Sequence, residues 1–240
     1  MIDVALTLEE LTHAPLPGVS AVVIDVVRAS TTIITALASG ARAVVPVATP
    51  AEAMARARAW PGEALLGGER GGAAPPGFDC GNSPAEYTPA RVGGRIVVFT
   101  TTNGTRALLA VAGAKRVAVG GFVNAGAVVR WLDGEPGDVL FVCAGESGRF
   151  CLEDATCAGL LVTRLCAARP DAALSDAARA AALLHAHYRA DLDRMLAEAV
   201  WAQMLVAQGR GADLPLCGAL DAFDVVPVAR DGMLVAGCAD

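Results

Sequence analysis

Short apolar runs alternate along this chain with segments whose apolar positions recur at helical spacing. Residues 21–27 (AVVIDVV) are β-branched and apolar, which predicts a buried strand. Residues 30–40 (STTIITALASG) predict a helix closed by Gly40. A second strand is expected at 41–48 (ARAVVPVA). Thr49 then reads as an N-cap, and Pro50 as the first residue of a helix over 50–59. EALLGGE (63–69) is a third strand running into glycines. Residues 67–84 are rich in Gly and Pro but also polar, the composition of a functional loop rather than a spacer. The pattern then restarts. A strand is expected at 95–100 (RIVVFT), a turn and helix at 101–113, a strand at 114–122, a helix at 124–132 and a strand at 137–146 (GDVLFVCAGE).

This restart reads as an internal repeat, about 21–90 and 95–160, within one 240-residue chain. At an offset of 73, Thr32 maps to Thr105, Gly40 to Gly113, Ala41 to Ala114 and Val44 to Val117. Gly68-Glu69 maps to Gly145-Glu146 at an offset of 77. The competing reading is that any two αβ units look alike. The third segment differs. Residues 147–165 predict a loop and a long helix, 175–188 a helix capped by Ser175, and 191–209 one further helix. Residues 223–230 and 232–237 predict a hairpin around Arg230-Asp231-Gly232, closing a C-terminal extension over 170–240. Alternating strands and helices imply an α/β fold with a largely parallel sheet.

Composition sharpens this. Hydrophobic residues reach 54% with only 5% aromatic, so the core is aliphatic, as in a buried parallel sheet covered by helices. A net charge of −6 with no basic run argues against nucleic acid as a partner. No apolar run reaches bilayer-spanning length, and the N-terminus lacks a basic n-region, so a cytoplasmic protein that does not enter membranes is expected. The seven Cys residues fit neither CxxC nor a zinc spacing and are expected to be reduced, buried or in loops. His13, His185 and His187 form no metal-like cluster and are given structural roles. A homodimer is compatible with all of this.

Candidate chemistry lies where strands of an open α/β sheet end. Asp25 ends an apolar strand, where an ion costs free energy unless paired or metal-bound. Arg28 follows, and Ser30-Thr31-Thr32 opens a helix. Hydroxyls and free N–H groups at a helix start favour an anion, and Arg28 could bind a phosphate or carboxylate bidentately. The alternative is an Asp25–Arg28 ion pair with Ser30 as a simple cap. A second cradle, Thr101-Thr102-Asn103-Gly104-Thr105, occupies the matching repeat position, and it is not a P-loop. Glu69 and Asp79, in the Gly-rich loop, are hard oxygen ligands of the kind Mg²⁺ takes together with water and substrate oxygens. Arg70 is a second guanidinium. Glu146, Glu153 and Asp154 add carboxylates after the last strand. One of them is expected to bind metal and another to act as general base or acid, although Glu153 and Asp154 also suit an ordinary helix start.

Together, IDVVRASTTIITALASGARAVVPV, GERGG, GFDCGNSPAEY, TTTNGTRAL, AGESGRFCLEDATCAG and FDVVPV resemble the 2-phosphosulfolactate phosphatase (ComB) family in motif order and spacing over residues 1–230. The resemblance implies a three-layer α/β/α fold. It also implies a Mg²⁺-dependent hydrolase that converts 2-phosphosulfolactate to sulfolactate and phosphate, a step of coenzyme M biosynthesis. A related phosphorylated hydroxy acid is the neighbouring substrate class. The residues themselves suggest Asp25, Glu69 and Asp79 as Mg²⁺ ligands. Arg28, Ser30, Thr31, Arg70 and the Thr101–Thr105 turn would hold the anionic substrate, and Glu146 would be the base. A haloacid-dehalogenase phosphatase would need an Asp where this chain has Val27. The other reading is a non-catalytic binder or sensor of a small anionic metabolite.

Overall fold

The structure, a computed structural model, describes residues 1–13 and 16–237, without the side chains of residues 12 and 13. His13 therefore lies outside the described side chains. Among the described residues, nine strands form one sheet: β1 (Ile2–Ala5), β2 (Ser20–Ile24), β3 (Ala43–Pro46), β4 (Ala64–Gly68), β5 (Ile96–Thr100), β6 (Arg116–Gly120), β7 (Val139–Cys143), β8 (Val226–Arg230) and β9 (Met233–Gly237). The helices are α1 (Ala29–Ala38), α2 (Pro50–Ala57), α3 (Pro89–Val92), α4 (Gly104–Ala110), α5 (Ala125–Asp133), α6 (Leu152–Ala168), α7 (Asp176–Tyr188), α8 (Leu192–Glu198), α9 (Val200–Ala207) and α10 (Leu214–Cys217).

Local chemistry explains most boundaries. Gly40 has φ +89°, and the N–H groups of Gly40 and Ala41 donate to the carbonyls of Leu37 and Ala36, the double bond of a Schellman end. Thr49 Oγ1 accepts from Glu52 N (3.1 Å), with Pro50 first in the helix, and Ser175 Oγ accepts from Ala178 N (3.1 Å). Asp231 and Gly232, at φ 50° and 75°, form the tight turn of the β8–β9 hairpin. The stretch expected as one helix over 191–209 is instead two helices broken at the buried, extended Ala199 (ψ 123°). The break lets the Trp201 indole N–H donate to the Val27 carbonyl (2.9 Å), a tertiary contact that overrides local helical preference.

Strand order is β1-β7-β2-β6-β8-β9-β3-β5-β4. Exchanging β2, β3 and β4 with β5, β6 and β7 turns β7-β2-β6 into β4-β5-β3, which is the same order read from the other end. Each unit thus lends its first strand to the middle of the other unit's pair. Within each half the strands are parallel, and the antiparallel β8–β9 hairpin joins the halves through β6 and β3. The two halves consequently run in opposite directions. Val22 and Ile24 face one core with α5, α6 and α7, whereas Ala21 and Val23 face a second core. That second core also takes Val97 and Phe99 from the other half, together with α1 and α4. α2 covers the outer face of the β3-β5-β4 half. Helices on both faces of the sheet give the three-layer α/β/α arrangement. A wide sheet twists, raising diagonal corners toward the same face. Here the ends of β2 and β5 meet, with the Asp25 carboxylate packed against Gly104. No helix among the described residues is long and apolar enough to cross a membrane.

Candidate active site

Two matching turns build the floor of the site. After β2, Asp25 N donates to Ser30 Oγ (2.8 Å) and Asp25 Oδ1 accepts from Ala29 N (3.0 Å). After β5, Thr101 N donates to Thr105 Oγ1 (3.0 Å) and Thr101 Oγ1 accepts from Thr105 N (3.1 Å). Each strand end is thus fastened to the first turn of its helix by a hydroxyl. The residue that presents a carboxylate in one unit presents a hydroxyl in the other.

Two further turns build the wall. After β4, Arg70 and Ala73 exchange backbone hydrogen bonds across Gly71 (φ 58°) and Gly72 (φ 81°). After β7, Glu146 and Arg149 do the same across Ser147 (φ 52°) and Gly148 (φ 78°). Arg70 and Glu146 hold equivalent positions in these turns. The sequence match of Glu69 with Glu146 is therefore displaced by one residue, although both carboxylates reach the same cavity.

That cavity has a volume of about 260 Å³ and is bordered by Asp25, Arg28, Glu69, Thr101, Thr102, Asn103, Glu146, Glu153 and Asp154. Val27, Asn82, Cys151 and Trp201 also line it. Glu69 is fixed by Gly72 N (2.7 Å) and Thr102 N (2.7 Å), one N–H on each oxygen. Asp154 is fixed by Val26 N (2.8 Å) and Gly145 N (3.1 Å), which ties the ends of β2 and β7 together. Glu146 accepts from Asn103 Nδ2 (2.6 Å) and Ser147 Oγ (2.7 Å).

Several residues expected at the site lie behind it. The Ser30 hydroxyl accepts from Asp25 N and the Thr31 hydroxyl donates to the Val26 carbonyl (2.8 Å), so both are used in closing the turn. Thr105 does the same for the second turn, and Gly104 packs against Asp25 without bordering the cavity. Arg70 donates to the carbonyls of Glu69 (2.6 Å) and Ala48 (2.7 Å) and to Thr100 Oγ1 (2.8 Å), clamping strand ends instead of facing the cavity. Asp79 Oδ2 accepts from Leu66 N (2.8 Å) and covers the open edge of β4, away from the cavity lining. Arg28 does border the cavity. Its partner is not Asp25 but Asp213, at 2.6 Å.

The electrostatics follow from packing carboxylates together. Burial pushes the Asp25 carboxyl up to about 7, against the lowering effect of the Ala29 N–H, and Glu69, Glu153 and Glu146 push it further. Burial likewise raises Asp154, with Asp25 and Glu153 adding to it, and raises Glu153, with Glu146 adding. Burial raises the Cys151 thiol, beside the same acids, so it is a poor nucleophile. Glu153 Oε2 and Asn82 Oδ1 are buried at the cavity without a hydrogen-bond partner among the described residues. Orphaned oxygens amid clustered carboxylates suit a hard cation. Among the described residues no group of three His, Cys, Asp or Glu side chains forms a ready-made metal cage. Mg²⁺ needs none, since it binds through one or two carboxylates plus water and substrate oxygens.

The sequence model of the 2-phosphosulpholactate phosphatase family matches residues 5–232, nearly the whole chain. The chain belongs to that family. A probable 2-phosphosulfolactate phosphatase of Symbiobacterium thermophilum is 45% identical over 221 residues, covering 92% of this chain and 95% of the relative. One of Thermotoga petrophila is 39% identical over 222 residues, covering 92% and 94%. One of Clostridium beijerinckii is 33% identical over 236 residues, covering 97% and 98%. The family match extends through the C-terminal segment, where no sequence motif marks a functional residue. Trp201 and Asp213 come from there. Nothing local marks them, because their partners Val27 and Arg28 lie far away in the chain.

Proposed function

We propose that this chain is a Mg²⁺-dependent phosphoric monoester hydrolase of the coenzyme M biosynthesis type, acting on 2-phosphosulfolactate or a closely related phosphorylated hydroxy acid. The observation that carries this reading is the convergence of five carboxylates and Arg28 on one small cavity, in a chain whose relatives bear the phosphatase name. A site so acidic repels a polyanion unless a cation intervenes.

Asp25 and Glu153 would hold Mg²⁺, the first through its carboxylate beside Gly104 and the second through Oε2, which has no hydrogen-bond partner among the described residues. Asn82 Oδ1 is a further oxygen for the ion or for its water. When bound, the ion supplies positive charge to the phosphoryl oxygens. Arg28, which borders the same cavity, binds those oxygens and stabilises the charge that develops on them. Thr101 and Thr102 present the second repeat's turn to the phosphate or to the acidic end of the substrate. Glu146, oriented by Asn103 and Ser147, takes the proton of the attacking water. Trp201 and Val27 form the apolar part of the wall and exclude bulk water.

Phosphate release from a panel of phosphorylated hydroxy acids, with Mg²⁺ and with chelator, tests the reading. Mg²⁺-dependent release, fastest with 2-phosphosulfolactate, is expected. A protein that binds these acids yet releases no phosphate is a binder or sensor instead.

A further inference from the structure

In the segment that follows the two repeats, Trp201 borders the cavity and Asp213 meets Arg28. Asp213, 185 residues from Arg28 in the chain, accepts from Arg28 Nη1 at 2.6 Å through Oδ2. Its other oxygen, Oδ1, accepts from Ser83 Oγ at 2.6 Å. On the far side of the guanidinium, Arg28 Nη2 donates to the Gly72 carbonyl at 3.3 Å. Arg28 and Asp213 are only 5% and 7% exposed, so the pair sits in low dielectric and its geometry is tightly held. The same stretch leans on the Arg70–Ala73 turn, where a β-carbon on Gly72 would stand 2.5 Å from Arg210 Nη1. A guanidinium has five N–H donors in a rigid plane. Anchoring one end on Asp213 and the other on Gly72 fixes that plane and leaves donors for the cavity that Arg28 borders.

We propose that Asp213 is a positioning residue: held by Ser83, it sets the Arg28 guanidinium in the orientation that receives the phosphoryl oxygens. This rests on the reading of Arg28 as the anion-binding group of a phosphatase. An ion pair serving stability alone would leave anion affinity untouched in any variant that still folds.

Calorimetric titration of the full-length, Mg²⁺-loaded protein with inorganic phosphate separates the two. Asp213→Asn is expected to weaken phosphate binding about tenfold or more, as Arg28→Gln does. The double variant should bind no more weakly than Arg28→Gln alone, because Asp213 acts only through Arg28. Ser83→Ala keeps both charges of the pair and loosens only the carboxylate, so it carries the test if Asp213→Asn does not fold; a loss of roughly threefold is expected. Wild-type affinity in a folded Asp213→Asn or in Ser83→Ala overturns the proposal. So do losses that multiply in the double variant, an Arg28→Gln protein that binds phosphate normally, or a wild type that binds none. A wild type that binds phosphate through Arg28 and Asp213 yet hydrolyses no phosphorylated hydroxy acid overturns the phosphatase reading and leaves the positioning role standing.

Discussion

The Asp25 carboxylate fills the space that a β-carbon on Gly104 would need: Oδ2 lies 2.6 Å from that point, and the Ala29 β-carbon lies equally close. Gly104 is therefore a spacer between the two repeat units. It lets the start of α4 rest on the end of β2, beside the Asp25 carboxylate that borders the cavity. Gly104→Ala must move either the carboxylate or a helix start. Overpacking of this kind costs about 1–3 kcal/mol. We expect a lower melting temperature together with at least a roughly tenfold fall in Mg²⁺-dependent phosphate release, since displacing a reacting group by an ångström costs about that or more. Unchanged activity and melting temperature would show that the contact positions nothing.

Asp25→Asn removes the charge and keeps the shape. Burial and three neighbouring carboxylates work against an ionised Asp25, so the amide should raise the melting temperature of the metal-free protein near neutral pH. The same variant should lose Mg²⁺-dependent phosphatase activity by about a hundredfold or more. It should also lose Mn²⁺ binding as read by electron paramagnetic resonance. Higher stability with lost activity marks a functional carboxylate. Wild-type activity would remove Asp25 from the metal site.

The raised carboxyls also set a pH dependence of stability with a definite sign. An acid whose folded value exceeds its unfolded value holds more protons in the folded state over the interval between them. Stability then falls as pH rises, by about 1.4 kcal/mol per pH unit for each such group. For Asp25 the interval runs from the ordinary 3.8 up to about 7, and Glu153 and Asp154 shift in the same direction. Metal-free protein should therefore melt at progressively lower temperature from pH 5 to pH 7.5. Mg²⁺ should flatten the profile, and Asp25→Asn should reduce its slope. A metal-free melting temperature that climbs across this range would contradict the burial of unpaired acids.

Much of this arrangement was legible in the sequence, for reasons that also explain what was not. Strands such as Val97–Phe99 and caps such as Thr49-Pro50 are local, so apolar period and capping chemistry reveal them. The restart of the pattern pointed to two like units. It could not show that each unit inserts its leading strand into the other, because strand order depends on contacts distant in sequence. The same limit governed the site. Asp25, Glu69, Glu146 and Thr101–Asn103 end strands and were found by that position. Arg70 and Asp79 share the same polar loop, but Arg70 turns to the carbonyls of Glu69 and Ala48 and the Thr100 hydroxyl and Asp79 to the Leu66 N–H, and composition does not distinguish a side chain facing a cavity from one covering a strand edge. Trp201 sits in a segment that reads as plain helix, and the break at Ala199 that turns it inward has no Gly or Pro to mark it.

Asp79 offers a direct contrast with Asp25. Its carboxylate holds Leu66 N at the sheet edge, and Asp79→Asn keeps an oxygen that can accept that bond. We expect phosphate release within about twofold of wild type and a stability change of roughly 1 kcal/mol or less. A loss comparable with that of Asp25→Asn would place Asp79 at the metal after all.

The two arginines should separate in the same way, and lysine is the informative replacement because it keeps the charge and loses the planar fork. Arg70 bonds three oxygens at once, on Glu69, Ala48 and Thr100, binding the ends of β4, β3 and β5 into one rim. An ammonium cannot reach all three in that geometry, so Arg70→Lys should cost about 1–3 kcal/mol of stability. Phosphate affinity at a temperature where the variant is fully folded should change little, because Arg70 does not border the cavity. Arg28 borders the cavity with its plane fixed by Asp213 and Gly72. Arg28→Lys should weaken phosphate binding about tenfold or more while the global charge stays the same. Melting curves and phosphate titrations of the two variants side by side decide the matter. Equal losses of affinity would mean that Arg70 also serves the ligand.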